Sequence, residues 1–379
     1  MAGKNGVVDV KSKKQVSGLY FKTEMAVLRK LARTKQSFRN LSAFLVLARH
    51  GNGNPPEGVE PFMYSGAGIR CVAKKAFMGE PSAKITIDFL TSGELIKKVP
   101  DHKISYGEKK WKRYELNHES SDLDLPHELT DGMKGKNLHH VDSPTKRIRD
   151  YDFSGFISEH NGFDENALQT DALMLLLEMY NSTEMELYGG IDPAAIHRNW
   201  YLSHTNQRKG VYTWSVYPDE KEPYWFSDNF IMKALHHAAS SPLLKERFRH
   251  AFKVLLDTGL IYDVVSYLPD RSKPGKREHV TVFVNDAHAS RTDTSLKAVY
   301  AERCKMKHAF NSTPESPGSQ TRYDGELLFD MPMSGGSIVG IFRPRFRTSN
   351  QSCGRWNEQE KVICNNILTQ LNDVQLQST

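Results

Sequence analysis

Cysteine is scarce in this 379-residue chain: Cys71, Cys304, Cys353 and Cys364 are widely spaced and form no CxxC pair. That excludes a disulfide-stapled scaffold and a cysteine-rich zinc module, and makes a reducing cytoplasm the expected setting. Long apolar runs are missing too. The stretch Ala172 to Leu177 falls far short of the roughly twenty residues that a membrane span needs. The lysine-rich N-terminus is not followed by an apolar region, so neither a membrane anchor nor a secretory leader is expected.

Catalytic signatures are equally sparse. The chain has no GxxxxGKS/T phosphate loop, no GxSxG elbow, no HExxH helix and no Cys/His cluster at zinc spacing. His236 and His237 are adjacent in an expected helix and so point to different faces. The segment NLHHVDSP, Asn137 to Pro144, resembles the opening of an HNH nuclease, but only His160 and Asn161 stand nearby to complete it. A linker holding two histidines is the better reading. No catalytic residue, cofactor or metal is expected.

Length predicts two or three domains. The net charge of +6, from 51 Lys and Arg against 45 Asp and Glu, is mild, but its distribution is uneven. From Lys11 to Arg49 nearly every charge is positive, with Glu24 the exception. Residues 1–21 therefore read as a basic arm suited to phosphates, or as a solvated tail.

Residues 22–118 form the first expected domain. Phe38, Leu41, Phe44, Leu45 and Leu47 lay an apolar stripe on a helix that the run HGNGNPPEG ends. A short helix over SGAGIRCVAKKAFMG follows, with Ser65 as its cap, then a helix from Pro81 to a Gly93 stop. The polar segment 119–150 reads as a linker. In the second domain, 151–291, ALQTDALMLLLEMY is a buried helix, and DPAAIHRNWYL a helix opened by Asp192 and Pro193. The aromatic run over about 202–227 reads as a hairpin insertion. Its aromatics, with Trp200 and Tyr201, fit core packing better than base stacking. The remainder, 292–379, holds a helix near 292–310, a hairpin around GGSIVGIFRPRFRT and a final helix, EQEKVICNNILTQLN. Arg343, Arg345 and Arg347 share one strand face there, as a further backbone contact or as the charge of an edge strand.

One pattern occurs twice, in Glu80 to Asn117 and in Ser241 to Asn285: an amphipathic helix, a Gly stop, an apolar pair, a strand, a basic turn and a return strand. In the second copy Phe248, Phe252 and Leu255 form the buried stripe. Lys245, Arg249 and Lys253 recur every four residues beside it, a basic edge that fits a major groove or simply a solvated face. The strand Ile261–Leu268 is expected to return as His279–Asn285. Between them Arg271, Lys273, Lys276 and Arg277 crowd a turn that has no carboxylate until Glu278, and such self-repulsion invites phosphate. In the first copy Ile85, Phe89 and Leu90 supply the apolar side, Ser82, Lys84 and Asp88 the exposed side. Lys109, Lys110, Lys112 and Arg113 gather at its turn.

These residues resemble winged-helix DNA-binding domains over about 35–117 and 170–285. The resemblance implies a mainly α chain with small β-hairpins, an α+β fold of two winged-helix domains plus a small C-terminal element. It implies a non-enzymatic protein that binds specific sites on double-stranded DNA, as a replication initiator or transcriptional regulator of a plasmid, phage or other mobile element. A second copy of the chain, or replication or transcription machinery, would be its further partners. The alternative is a protein-interaction scaffold built from winged helices.

Overall fold

The computed structural model describes residues 20–51, 64–99, 113–117, 122–131, 133–135, 138–159, 163–184, 190–208, 211–269, 277–284, 326–332 and 336–344. The elements run β1 (Tyr20–Thr23), α1 (Met25–Ala32), α2 (Ser37–Arg49), β2 (Tyr64–Ser65), α3 (Ile69–Lys75), α4 (Glu80–Ser92), β3 (Ile96–Val99) and β4 (Arg113–Leu116). Next come β5 (Leu123–Pro126), α5 (Glu128–Asp131), β6 (Met133–Gly135), β7 (Leu138–Val141), α6 (Pro144–Arg149) and α7 (Ser154–Glu159). The second half holds α8 (Glu165–Asn181), β8 (Thr183–Glu184), β9 (Gly190–Ile191), β10 (Ile196–Arg208), β11 (Val211–Pro218), β12 (Tyr224–Phe226), α9 (Asp228–Ala234), α10 (Pro242–Asp257), β13 (Ile261–Pro269), β14 (Arg277–Val284), β15 (Glu326–Pro332) and β16 (Gly336–Pro344). Helices combine with sheets that are antiparallel except where β11 meets β14, an α+β arrangement.

Two helices form the centre. Every residue from Leu41 to Ala48 in α2 and from Leu168 to Tyr180 in α8 is buried, so each helix is enclosed on all sides. They pack on one another. The Ser37 and Thr170 hydroxyls meet at 2.6 Å, and Asn166 accepts from the Phe38 amide while donating to the Lys35 carbonyl. A single apolar core runs through both halves, and each fully buried leucine in it contributes about 2 kcal/mol.

Around α2 stand α3, α4 and a three-stranded sheet in the order β2-β4-β3, with Ile96 opposite Leu116. Around α8 stand α9, α10 and a larger sheet, β13-β16-β10-β11-β14-β15, with β12 on the edge of β10. The two repeats end their helices alike. After α4 the Leu95 amide bonds to the Leu90 carbonyl and the Glu94 amide to Thr91; after α10 the Leu260 amide bonds to Leu255 and the Gly259 amide to Leu256. This double bond needs one left-handed residue, which is Gly259 (φ 64°) in the second copy but Glu94 (φ 56°) in the first. Gly93, expected as the stop, has an ordinary φ of −84°.

Several expectations are corrected. The segment 119–150 is no plain linker: β5 pairs with β1, and α6 packs on α8. Four of its apolar residues, Leu123, Leu125, Leu129 and Ile148, are buried, and the polar residues around them hide that from a composition average. Asp192 and Pro193 open a single turn rather than a helix; the Asp192 carboxylate accepts from the Ala194 amide, and β10 begins at once with Ile196 and Arg198 turned inward. Ser65 lies in β2, and Gly68 precedes α3. His236 and His237 follow α9 instead of lying in it, with His236 at φ 56°. The expected wing of the second copy is also different. β13 pairs with β16, residue for residue from Ile261–Pro344 to Pro269–Gly336, while β14 pairs with β11 and β15. Apolar alternation marks both β14 and β16 as strands without choosing between them. Phe342 decides, fully buried with its ring 5.1 Å from Phe252 and 6.0 Å from Tyr224.

β16 is threaded between β10 and β13 at Gly340, which lies opposite both Arg198 and Val265. The Arg198 guanidinium and Asp263 carboxylate meet across it at 3.6 Å, the Trp200 indole donates to Asp263 at 3.3 Å, and Arg198 lies over the Trp200 ring. A β-carbon on Gly340 would collide with Asp263, Trp200 and Arg198. The hairpin expected around this strand is thus a central strand with an ion pair folded over it. Of the three arginines on its expected face, Arg343 is buried, and Arg345 and Arg347 lie outside the described residues.

Candidate nucleic-acid interface

The helix α4 packs one face on α2 and α3 and leaves the other exposed. Ala83, Thr86, Ile87 and Leu90 repeat at three and four residues and are buried. Two of them are small enough to bring the helix close to its neighbours. This rotates the helix from the expected orientation: Ile85 is 59 % and Phe89 40 % exposed, and only Leu90 of the expected apolar trio is in the core. Lys84 and Asp88 are exposed as expected, and Ser82 is half-buried. The exposed residues of α4 thus include one cation, Lys84, two carboxylates, Glu80 and Asp88, two large apolar groups and the hydroxyl of Ser92.

Exposed cations stand on the elements that adjoin α4. Lys74 comes from α3, and Lys97 and Lys98 from β3. Lys97 reaches Glu115 only at 3.9 Å, and Arg70 reaches Glu80 at 3.5 Å, both in solvent, where such pairs contribute little. Lys74, Lys84 and Lys98 make no ion pair with any described residue. The strand β3 leads toward Lys109, Lys110 and Lys112, which lie outside the described residues, and Arg113 opens β4 opposite Val99.

The helix α10 is more enclosed. Ser241 caps its start by accepting from the Leu244 amide, and Pro242 takes the first position. Phe248 and Phe252 are buried against Phe226, about 5.0 Å away in both cases, and Phe230 closes the same side. On another side Phe156 of α7 stacks on His250 at 3.9 Å. Arg247 turns inward to grip Asp171 of α8 with two bonds, 2.8 and 2.7 Å. Burial pushes the Asp171 carboxyl upward, and the Arg247 bonds oppose that shift.

The expected basic edge of α10 is present but largely neutralised. Lys245 pairs with Asp228 at 2.7 Å, and Lys253 pairs with Asp257, one turn on. Arg249 is exposed and makes no ion pair with a described residue. Arg271, Lys273 and Lys276 lie outside the described residues; Arg277 opens β14 opposite Pro332 of β15 rather than a turn back to β13. Sequence reasoning thus places the two helices and misses the acids that pair the second one. The spacing of Lys253 and Asp257, four residues apart on a helix, is the signal that could have found one of them.

The densest titratable group in the described residues lies elsewhere, under α2 and α3, and sequence reasoning does not find it. Asp131 joins Arg49 at 2.7 Å and Lys75 at 2.5 Å. His50 meets the Cys71 sulfur at 3.4 Å, and His127 stacks on Phe21. Burial, reinforced by Lys75 and Arg49, holds His50 at about 4; burial and Arg49 do the same for His127. Burial also pushes the Cys71 thiol up, so it is not an activated nucleophile. Among the described residues no three His, Cys, Asp or Glu side chains are placed to hold a metal ion; His139 and His140 lie on β7, and His160 and Asn161 are outside. No described helix is long and apolar enough to cross a membrane. No family model matches the chain, and no curated protein or solved structure matches it either.

Proposed function

We propose that the chain binds specific sites on double-stranded DNA through two winged-helix units, as a replication initiator or transcriptional regulator of a mobile element. The observation that carries this reading is the first unit. Its order is α2, β2, α3, α4, β3, β4, and its hairpin pairs back onto β2. Its last helix is exposed along half its circumference beside β3, which carries the exposed Lys97 and Lys98. Such a helix enters a major groove while the hairpin rests on the backbone. The second unit repeats the helix, its two-bond end and the strand, with Arg249 as a cation that no described carboxylate neutralises.

The test is a gel shift on random-sequence and plasmid-derived duplexes at two salt concentrations, with wild type, Lys84→Ala and the Lys245→Ala/Arg249→Ala/Lys253→Ala variant. Wild-type affinity should fall steeply with salt, and each phosphate left without its cation should lower the slope by about one unit. Failure of the wild type to bind any duplex would overturn the reading. The scaffold alternative draws on the internal pairing of Lys245 and Lys253, and predicts that the triple variant leaves any DNA affinity unchanged.

A further inference from the structure

Four large apolar side chains are exposed among the described residues: Ile85, Phe89, Trp225 and Leu243. Two of them stand one turn apart on the outward face of α4. The helix does not need them for its own packing, since Ala83, Thr86, Ile87 and Leu90 already form its buried stripe. An exposed apolar pair on a helix that also presents Lys84, with exposed lysines on the adjoining α3 and β3, is fitted to a partner that is apolar in the middle and anionic at its edges.

A DNA major groove has that composition. Its floor carries the C5 methyl group of each thymine, and phosphates line both walls. Lys74 on α3 and Lys97 and Lys98 on β3 are exposed on the elements that pack on α4, within reach of such walls. Beside the apolar pair, Asp88 is a carboxylate that can accept from a cytosine amino group, and Lys84 a cation that can donate to guanine. We propose that Ile85 and Phe89 read thymine methyl groups, so that α4 rather than α10 selects the DNA sequence, at T-containing steps. This rests on the DNA-binding reading above. It places base reading on α4 instead of on the basic edge of α10, whose lysines are held by Asp228 and Asp257.

The test uses the full chain and duplexes enriched by wild-type selection from a random pool, made once with thymine and once with deoxyuridine, which lacks only the methyl group. Wild type should bind the thymine form more tightly, by about fourfold for each methyl group it touches. Ile85→Gln/Phe89→Gln should bind both forms equally, whereas Phe89→Leu, which stays apolar, should keep part of the preference. Both sites are exposed and glutamine is a good helix former, so the fold should persist, as circular dichroism would verify. If the double variant does not fold, the two DNA forms tested on wild type still decide. Equal binding of both forms by wild type overturns the methyl contact and leaves DNA binding standing. No binding of either form overturns both. If sedimentation shows a wild-type dimer that the double variant loses, with no thymine preference, a second copy of the chain covers the patch and the inference fails.

Discussion

Arg147 and Arg149, two residues apart on α6, donate to backbone carbonyls at opposite ends of the molecule's two repeats. Arg147 bonds to Thr258 at the end of α10, and Arg149 to Phe77 in the turn before α4, both at 2.7 Å. Phe77 sits at φ 54°, and the Arg149 guanidinium lies 5.0 Å from its ring. A segment that reads as a spacer is thus a clip that fixes the ends of both candidate recognition helices to one short helix. Replacing both arginines with alanine should cost about 1.5 kcal/mol for each bond. Urea unfolding followed by fluorescence should show the loss, with a broader transition than wild type as the units begin to open separately.

The Asp171–Arg247 pair should be sensitive to removal of one member and tolerant of removal of both. Arg247→Met leaves a carboxylate buried without its partner, which costs about 3 kcal/mol. Asp171→Leu/Arg247→Met should regain most of that. Thermal melts of the two variants test this, and equal melting temperatures would count against a buried pair.

Glu94 occupies the left-handed position that Gly259 fills in the other repeat. A side chain there is strained, so Glu94→Gly should raise stability by about 0.5 kcal/mol, and Gly259→Ala should lower it by about 1 kcal/mol. Denaturant midpoints at constant slope would verify the opposite signs.

Gly340→Ala should be among the most damaging single-methyl additions at the described glycines. The new carbon has the Asp263 carboxylate, the Trp200 indole and Arg198 in its way. Overpacking of this kind costs up to about 3 kcal/mol. Protease resistance of the fragment that spans α10 and β13 gives a direct measure.

Stability should decline on mild acidification. His50 and His127 titrate near 4 when folded against an ordinary 6.5, so between these values the unfolded chain holds more protons. Protons then favour unfolding: the contribution of the neutral rings is complete above pH 6.5 and is lost as pH falls through 4. Melting temperature measured from pH 8 to 4 should be level and then drop, and the drop should shrink in His50→Gln/His127→Leu.

Much of the framework is legible in the sequence because it rests on local rules. The long apolar run predicts α8, the Phe248/Phe252/Leu255 spacing predicts the buried side of α10, and each repeat announces its helix end. What stays hidden depends on residues distant in sequence. α4 satisfies helical spacing with either Ile85 and Phe89 or Ala83 and Ile87 inward, and only the room beside α2 and α3 selects the smaller set. β13 has two apolar strands to choose from downstream, and Phe342 determines which one joins it. α10 reads as more strongly charged than it is because Asp228, which holds Lys245, lies on a different helix.

The placement of β16 also has a meaning in time. The first repeat has all the strands of its sheet once Leu116 has been made, but the second has its helix α10 at Asp257 and must wait for Gly336–Pro344 before β13 and β10 can be joined. Residues 270–335 leave the ribosome in between. During that interval Phe252 and Tyr224 lack the ring of Phe342, so the nascent chain carries a finished first repeat beside an open second one. That second repeat depends on a strand made well after its helix, and it is the part of the protein that a chaperone would have reason to hold.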